Sequence, residues 1–326
     1  GTTAASYVTV WPTGSSVPGA SNLNIFPGQN NTNLVIAKVG TNGKVSLFNA
    51  LGATDLIADV QGYFSDTADL TPLTPARFLD TRSIGTTIDG LFQKQGALAG
   101  GAQLDLGVAG RASIPASGVG SVILNVTATG TTAAGFVTVW PTGSPTPPTS
   151  NLNFVAGQTI PNLVITKVGN GQVSLFNSAG NTDLVADVMG WFPTGSALTS
   201  LNPARLLDTR SGIGVTVDGQ FAGAGPISGG GTLDLLVTGR GGVPASGVGA
   251  VVLNVTVTGP SAAGYLTAWP TGSALPLASN LNFVPGQTIP NLVIVKVGNA
   301  GDVSLFNSAG NSDVVVDVVG WLAPPQ

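Results

Sequence analysis

The sequence contains no cysteine, no histidine and no glutamate. Without cysteine there can be no disulfide framework, no thiolate nucleophile and no cysteine-ligated metal. Without histidine the chain lacks the commonest general base and the commonest ligand of transition metals. Because glutamate favours helices and aspartate favours turns, the 15 acidic residues, all aspartate, are not typical of a helical protein. We expect no enzymatic activity, no cofactor and no bound metal.

Charge is also scarce, since only 8% of the residues are charged and the formal net charge is −4. The 11 basic residues form no basic stripe, which argues against a nucleic-acid partner. No apolar run is long enough to span a bilayer, so membrane insertion is not expected. What the chain does contain is 47 glycines, 22 prolines and abundant valine and threonine, a composition that predicts an all-β protein.

Long phrases of the sequence recur with a period near 129 residues. "SYVTVWPTG" (6–14) returns as "GFVTVWPTG" (135–143) and "GYLTAWPTG" (264–272), and each copy continues to "ADVQGYF", "ADVMGWF" or "VDVVGWL". These phrases form the second half of a unit. The first half, from "PARFLDTR" or "PARLLDTR" to "VILNVTAT" or "VVLNVTVT", occurs only twice. We therefore divide the chain into a half unit (1–64) and two complete units (65–192 and 193–326), called the first, second and third copies.

Alternating apolar and polar residues predict seven or eight strands in each complete unit. The predicted fold is a series of tandem antiparallel β-sandwich domains of about 129 residues, two complete units plus a leading half unit. We expect "VVLNVTV" and "GYLTAW" to form one hairpin. Turns containing Asn-Gly in two of the copies predict a second hairpin between "NLVIVKVG" and "DVSLFN".

The half unit lacks the strand predicted to pair with its first strand, Tyr7–Trp11. That strand would then be an exposed edge beside an open apolar core, and such edges recruit strands from elsewhere. We predict that residues 1–64 are completed by polypeptide from outside their own unit. The donor is either an upstream segment that is absent from this chain or a neighbouring subunit, and donation by a neighbouring subunit would give a head-to-tail polymer. The alternative is a smaller sandwich that folds alone.

Aromatic residues recur on one face of the first strand of each second half. An exposed platform of this kind could stack on sugar rings, whereas buried tryptophans would simply pack against the sandwich or a neighbouring domain. The candidate glycan contacts are Tyr7, Trp11, Phe136, Trp140, Tyr265 and Trp269.

Charged residues recur at equivalent strand positions, which predicts structural ion pairs. Lys167 should pair with Asp187, and Lys296 with Asp317, while Arg205 and Asp208 of "PARLLDTR" should brace two strands or a turn. An aspartate acid–base pair or a calcium site is the functional alternative, but the chain has no D-x-D-x-D-G loop.

The phrases "LNPARLLDTR", "GVPASGVGAVVLNVTVT", "SNLNFVPGQTIPNLVIVKVG" and "VSLFNSAGNSDVVVDVVGWL" cover most of one unit. Their wording resembles a repeat of large secreted and cell-surface proteins of actinobacteria and related bacteria. The resemblance covers essentially the whole chain and implies a secreted or cell-surface location. It implies no defined activity and no catalytic residues.

Two functions fit these observations. In the first, the chain is a structural protein that forms a surface stalk, sheath or filament by head-to-tail or lateral self-association, favoured by its low charge. In the second, it is an array of weak glycan-binding modules that gains avidity by repetition and binds a cell-wall glycan. Burial of the three repeated tryptophans would favour the structural function, and their exposure in one groove would favour glycan binding.

Overall fold

The computed structural model describes residues 2–28, 31–64 and 69–324. Within these ranges the regular structure is almost entirely strand, apart from single helical turns at Thr41–Gly43 and Asn299–Gly301, so the all-β prediction is confirmed. No helix in the described part is long and apolar enough to cross a membrane. The strands are β1 (Ser6–Pro12), β2 (Leu23–Ile25), β3 (Val45–Asn49), β4 (Thr71–Asp80), β5 (Gln103–Gly107), β6 (Val119–Thr129), β7 (Gly135–Pro141), β8 (Leu152–Phe154), β9 (Ile160–Lys167), β10 (Gln172–Asn177), β11 (Asp183–Pro193), β12 (Leu198–Asp208), β13 (Thr232–Leu236), β14 (Ala250–Thr258), β15 (Gly264–Pro270), β16 (Leu281–Phe283), β17 (Thr288–Lys296), β18 (Asp302–Asn307) and β19 (Asp313–Leu322).

The second and third copies each contain two four-stranded antiparallel sheets. Sheet I has the order β4-β11-β6-β9 in the second copy and β12-β19-β14-β17 in the third. Sheet II has the order β5-β10-β7-β8 in the second copy and β13-β18-β15-β16 in the third. Counting the strands of one copy from one to eight, both copies show orders 1-8-3-6 and 2-7-4-5. This is the strand order of a jelly roll, a sandwich of two sheets built from two Greek keys.

Both predicted hairpins are wrong, although the strands and turns are present. β14 lies in sheet I between β17 and β19, whereas β15 lies in sheet II between β16 and β18. The predicted pair β17 and β18 is likewise divided between the two sheets. The Asn-Gly turn has the expected left-handed conformation, with φ of 53° at Asn170 and 75° at Gly171. It carries the chain across the sandwich instead of back along the same sheet.

The described part of residues 1–64 contains one sheet, with the order β2-β1-β3. It corresponds to three strands of sheet II, and β1 lies at its centre, so the prediction that Tyr7–Trp11 is an exposed edge is wrong. Residues 31–40 and 51–64, the counterparts of β9 and β11, form no strand. In the second copy both of those strands pair with β6, which has no counterpart in the half unit.

The Cα packing divides the chain into two compact units that cut across the predicted domain boundaries. Unit 1 contains residues 1–56, 66–146 and 150–196. Unit 2 contains residues 57–65, 147–149 and 197–326. The half unit therefore does not form a compact body of its own.

Candidate functional site

The repeated tryptophans pack beneath a loop of their own copy. This covering loop joins the first and second strands of each second half, at residues 13–22, 142–151 and 271–280. The indole N–H groups of Trp11, Trp140 and Trp269 donate to the carbonyl four residues further on, at 3.1, 3.0 and 3.0 Å. Trp140 and Trp269 are buried and Trp11 is half-buried. They therefore do not form an exposed groove.

An asparagine of the "SNLN" phrase fixes the covering loop in every copy. Its side-chain oxygen accepts the main-chain N–H of the strand residue before the tryptophan, at 2.6 to 2.7 Å. The pairs are Asn22 with Val10, Asn151 with Val139, and Asn280 with Ala268. The repetition of this phrase in the sequence does not by itself predict that its asparagine fixes the loop.

The other candidate glycan contacts, Tyr7, Phe136 and Tyr265, remain about two-fifths exposed. Each forms a tilted aromatic pair with a phenylalanine of the neighbouring strand, Phe48, Phe176 or Phe306. The ring centroids are 6.4, 6.3 and 6.2 Å apart, respectively. The structure thus separates the predicted aromatic platform into an exposed pair and a covered tryptophan.

The predicted lysine–aspartate pairs do not form. Asp187 is instead bonded by Arg77, whose Nε and Nη2 donate to the carboxylate at 2.8 and 3.1 Å. Asp317 accepts the same fork from Arg205 at 2.9 and 3.3 Å. The reason is strand register, because Asp187 lies opposite Arg77 on β4, whereas Lys167 lies opposite Ser121 and is exposed. Lys296 occupies the matching exposed position in the third copy.

The predicted contact between Arg205 and Asp208 is present, at 3.4 Å from Nη1 to the carboxylate. It belongs to a chain of alternating charges, since Arg210 also bonds Asp208 at 2.6 Å. The second copy repeats this arrangement with Asp80 in place of Asp208. These carboxylates and guanidinium groups form ion pairs with one another. The described residues contain no cluster of three acidic side chains placed to hold a metal ion.

Burial and ion pairing act against each other on these aspartates. Burial raises the pKa of Asp187 and of Asp317 above the ordinary value, although each has an arginine partner. At Asp80 and Asp208 burial also opposes ionisation, but the hydrogen bonds and charges of the two flanking arginines outweigh it and lower the pKa. These ion pairs therefore act as a fixed structural brace.

The outer face of sheet I in the second copy binds the covering loop of the first copy, within unit 1. The Asn125 side chain donates to the Ser21 carbonyl at 2.5 Å, and the Ser21 main-chain N–H stabilises the charged form of the Asp187 carboxylate. Asn33 donates to Asn125 at 2.9 Å and accepts the N–H of Leu163 at 3.1 Å. We call this set of contacts the clamp.

A cavity of about 300 Å³ lies beside the clamp. Its lining includes Tyr7, Asn24, Arg77, Arg82 and Thr127. The Asn24 Nδ2 and Thr127 Oγ1 atoms are buried and have no hydrogen-bond partner among the described residues. Such groups are costly to leave unpaired in a buried position.

Comparisons with known proteins assign this chain to no family. No family model matches it. No curated protein matches it either. Among solved structures it is weakly similar to the STIV MCP, with a TM-score of 0.30 and 7% identity over 70% of this chain and 94% of that chain. A likeness this weak supports no argument about function.

Proposed function

We propose that the chain is an extracellular structural protein whose jelly-roll repeats build a stalk, sheath or filament through contacts between domains and subunits. Its secreted or cell-surface location is inferred from the sequence resemblance. The low charge supports lateral association, because little electrostatic repulsion opposes contact between copies.

The observation that carries this proposal is an open apolar face in the first copy. Leu47 of β3 is 48% exposed, whereas its counterparts Leu175 and Leu305 are completely buried. Val45 is 41% exposed, and its counterpart Val173 is also completely buried. Since burying one such side chain stabilises a protein by about 2 kcal/mol, covering this face is strongly favourable.

The occupant we propose for this face is a first-half segment, a polypeptide with the strand pattern of β4, β5 and β6, presented by a neighbouring subunit that carries one beyond the two that complete its own copies. Only such a segment supplies the two partners that the half unit lacks. A counterpart of β5 would pair with β3, as β5 pairs with β10. A counterpart of β6 would pair with residues 31–40 and 51–64, as β6 pairs with β9 and β11.

Electron microscopy and sedimentation velocity test this function with a chain that carries an additional copy of residues 66–134 at its C-terminal end, so that three first-half segments are present for three second halves. We expect elongated assemblies whose mass increases with protein concentration. Replacing Leu47 with aspartate should abolish them, because a charge on the open face opposes its burial. The matched control is L91D, since Leu91 is 53% exposed in a loop of the second copy. A chain that is monomeric at every concentration, or equal assembly of both variants, would overturn the proposal.

A second candidate function, glycan binding, is favoured by the cavity beside the clamp. The donors on Asn24 and Thr127 could be satisfied by sugar hydroxyl groups, and Tyr7 offers an aromatic surface at the cavity. Arg77 and Arg82 are balanced by Asp187 and Asp80, so the local charge favours a neutral sugar over an anionic one.

Sedimentation with insoluble cell-wall glycan distinguishes this candidate. If glycan binding is the function, N24A combined with Y7A should reduce the bound fraction while leaving assembly unchanged. The control is I213A, because Ile213 is well exposed at a site away from the cavity lining. Equal binding by the double variant and the wild type would exclude the cavity as a glycan site.

A further inference from the structure

The covering loops of the three copies differ in how well they are covered. Ala20 in the first copy and its counterpart Thr149 in the second are both only 3% exposed. The third counterpart, Ala278, is half-buried and the nearby Leu277 is fully exposed. Leu275 is 45% exposed, but its first-copy counterpart Val17 is 53% exposed as well, so the third loop differs from the first at Ala278 and Leu277.

The third loop also lacks the main-chain contacts of the clamp. In the first copy, the Ser21 carbonyl accepts the Asn125 side chain, and the Ser21 main-chain N–H stabilises the Asp187 carboxylate. Its counterpart Ser279 makes no such hydrogen bond within the described part of the chain. The loop itself is formed, because Asn280 and Thr267 hold it at 2.7 and 2.8 Å as in the first copy.

One contact within unit 2 indicates what should cover this loop. In unit 1, the side chain of Asn22 contacts the sulfur of Met189 on β11 at 3.8 Å. In unit 2, the equivalent Asn280 donates to Gln61 at 3.2 Å, and Gln61 is the first-copy counterpart of Met189. The β11-like segment of the first copy is thus already at the third loop.

Asp59 lies two residues before Gln61 and is the counterpart of Asp187. It is exposed, and no hydrogen bond or ion pair to it is present among the described residues. Asp187, by contrast, is buried, bonded by Arg77 and stabilised in its charged form by the Ser21 main-chain N–H. Asp59, the expected acceptor for the Ser279 N–H, is thus present in the chain. The sheet that would hold Asp59 in place is not formed in the described part of the first copy.

We propose that Leu275–Ser279 docks on the outer face of sheet I of the first copy of the same chain once a first-half segment has formed that sheet. The proposal rests on the proposed function, because the first-half segment completes the sheet. Asp59 then accepts the Ser279 N–H, and the residue corresponding to Asn125 donates to the Ser279 carbonyl. The third loop thus selects a completed first copy over an incomplete one.

Thiol labelling of the full chain tests this docking, since the protein has no cysteine of its own. A copy of residues 66–134 is placed directly before Ser6, which reproduces the natural junction between β6 and β7. Separate variants carry A278C to report docking and L47C to report completion. The controls are A20C and T149C, at the buried counterparts of Ala278, and circular dichroism checks the strand content of each variant.

We expect the added segment to slow labelling of both A278C and L47C by about tenfold or more, because a buried thiol reacts only after local opening. Protection of L47C with unchanged labelling of A278C would overturn the docking and leave completion intact. Failure to protect either position would overturn both. In the extended chain, D59A should restore labelling of A278C without exposing L47C, and continued protection of A278C would contradict the proposed clamp.

Discussion

Arg111 and Arg240 are buried cations that hold a long loop onto each sandwich. Arg240 forms a fork with Asp218 at 2.7 and 2.8 Å, donates to the carbonyls of Leu236 and Leu206, and lies 5.0 Å from the Phe221 ring. Its planar guanidinium serves all of these partners together, which a lysine cannot do.

We therefore expect R240K to destabilise unit 2 by about 2 kcal/mol, because a lysine keeps the charge but leaves several of these hydrogen bonds unmade. Calorimetry gives the change in Tm. The control is K296R, since Lys296 is exposed on the third copy. An R240K protein as stable as K296R would contradict the role of Arg240.

The same pair makes stability sensitive to acid. The hydrogen bond from Arg240 lowers the pKa of Asp218 from 3.8 to about 2. A carboxyl whose folded-state pKa is depressed contributes stability above its unfolded pKa and loses it as the pH falls through the folded value. We expect Tm to fall between pH 4 and pH 2, and to fall less steeply for D218N. Parallel Tm curves for the two proteins would show that Asp218 is not responsible.

The sequence predicts that charged residues recur at equivalent positions, but it does not predict which of them form ion pairs. The sequence shows that Asp187 and Asp317 recur in apolar strands and need partners, and both do have partners. It does not show which strands are neighbours. The sequence alone therefore predicts lysine as the partner of each aspartate, whereas the partner is arginine. Once Asp187 is known to lie opposite Arg77, the choice follows from register alone.

Among the elements, strands and turns could be predicted and strand order could not. Alternation of apolar residues locates β14 and β15, and the left-handed conformation at Asn42 and Asn170 agrees with the Asn-Gly turns. In a two-layer sandwich, however, a short turn can either reverse a strand or carry the chain to the opposite sheet. Local sequence is similar in both cases, and only the partners available along the whole unit decide between them.

The clamp gives a prediction for one strand, β6. In N125A, the Ser21 carbonyl and the Asn33 amide lose their partner, which costs about 1–3 kcal/mol for buried groups. We expect residues 19–28 and 31–33 to open more often and the Leu163 N–H, bonded to Asn33, to exchange faster. Hydrogen exchange measures this effect. T127A is the control, since the Thr127 hydroxyl has no partner among the described residues, and equal exchange in both variants would argue against the clamp.

At the scale of the whole molecule, the two compact units predict two thermal transitions. Arg111 belongs to unit 1 and Arg240 to unit 2. R111K should therefore lower one transition and R240K the other, because each arginine supports only its own sandwich. Differential scanning calorimetry of both variants tests this expectation. A single transition shifted equally by either change would mean that the chain unfolds as one cooperative body.

The repeat count and the missing half were visible in the sequence, but the division of the first 64 residues was not. Their apolar strands were expected to need partners, and the exposure of Val45 and Leu47 agrees with that need. Assigning 1–56 to one unit and 57–65 to the other depends on contacts far apart along the chain. The apolar periodicity of the half unit does not indicate these long-range contacts.

The equivalence of strand positions in successive copies also has a genetic consequence. The two jelly rolls have the same strand order and the same "WPTG" phrase at the same point, so homologous DNA sequences encode interchangeable structural parts. A crossover between equivalent positions of two copies adds or deletes one whole period. Every hybrid strand still finds partners in the same order, and the length of the array can change in a single recombination event without creating a misfolded junction.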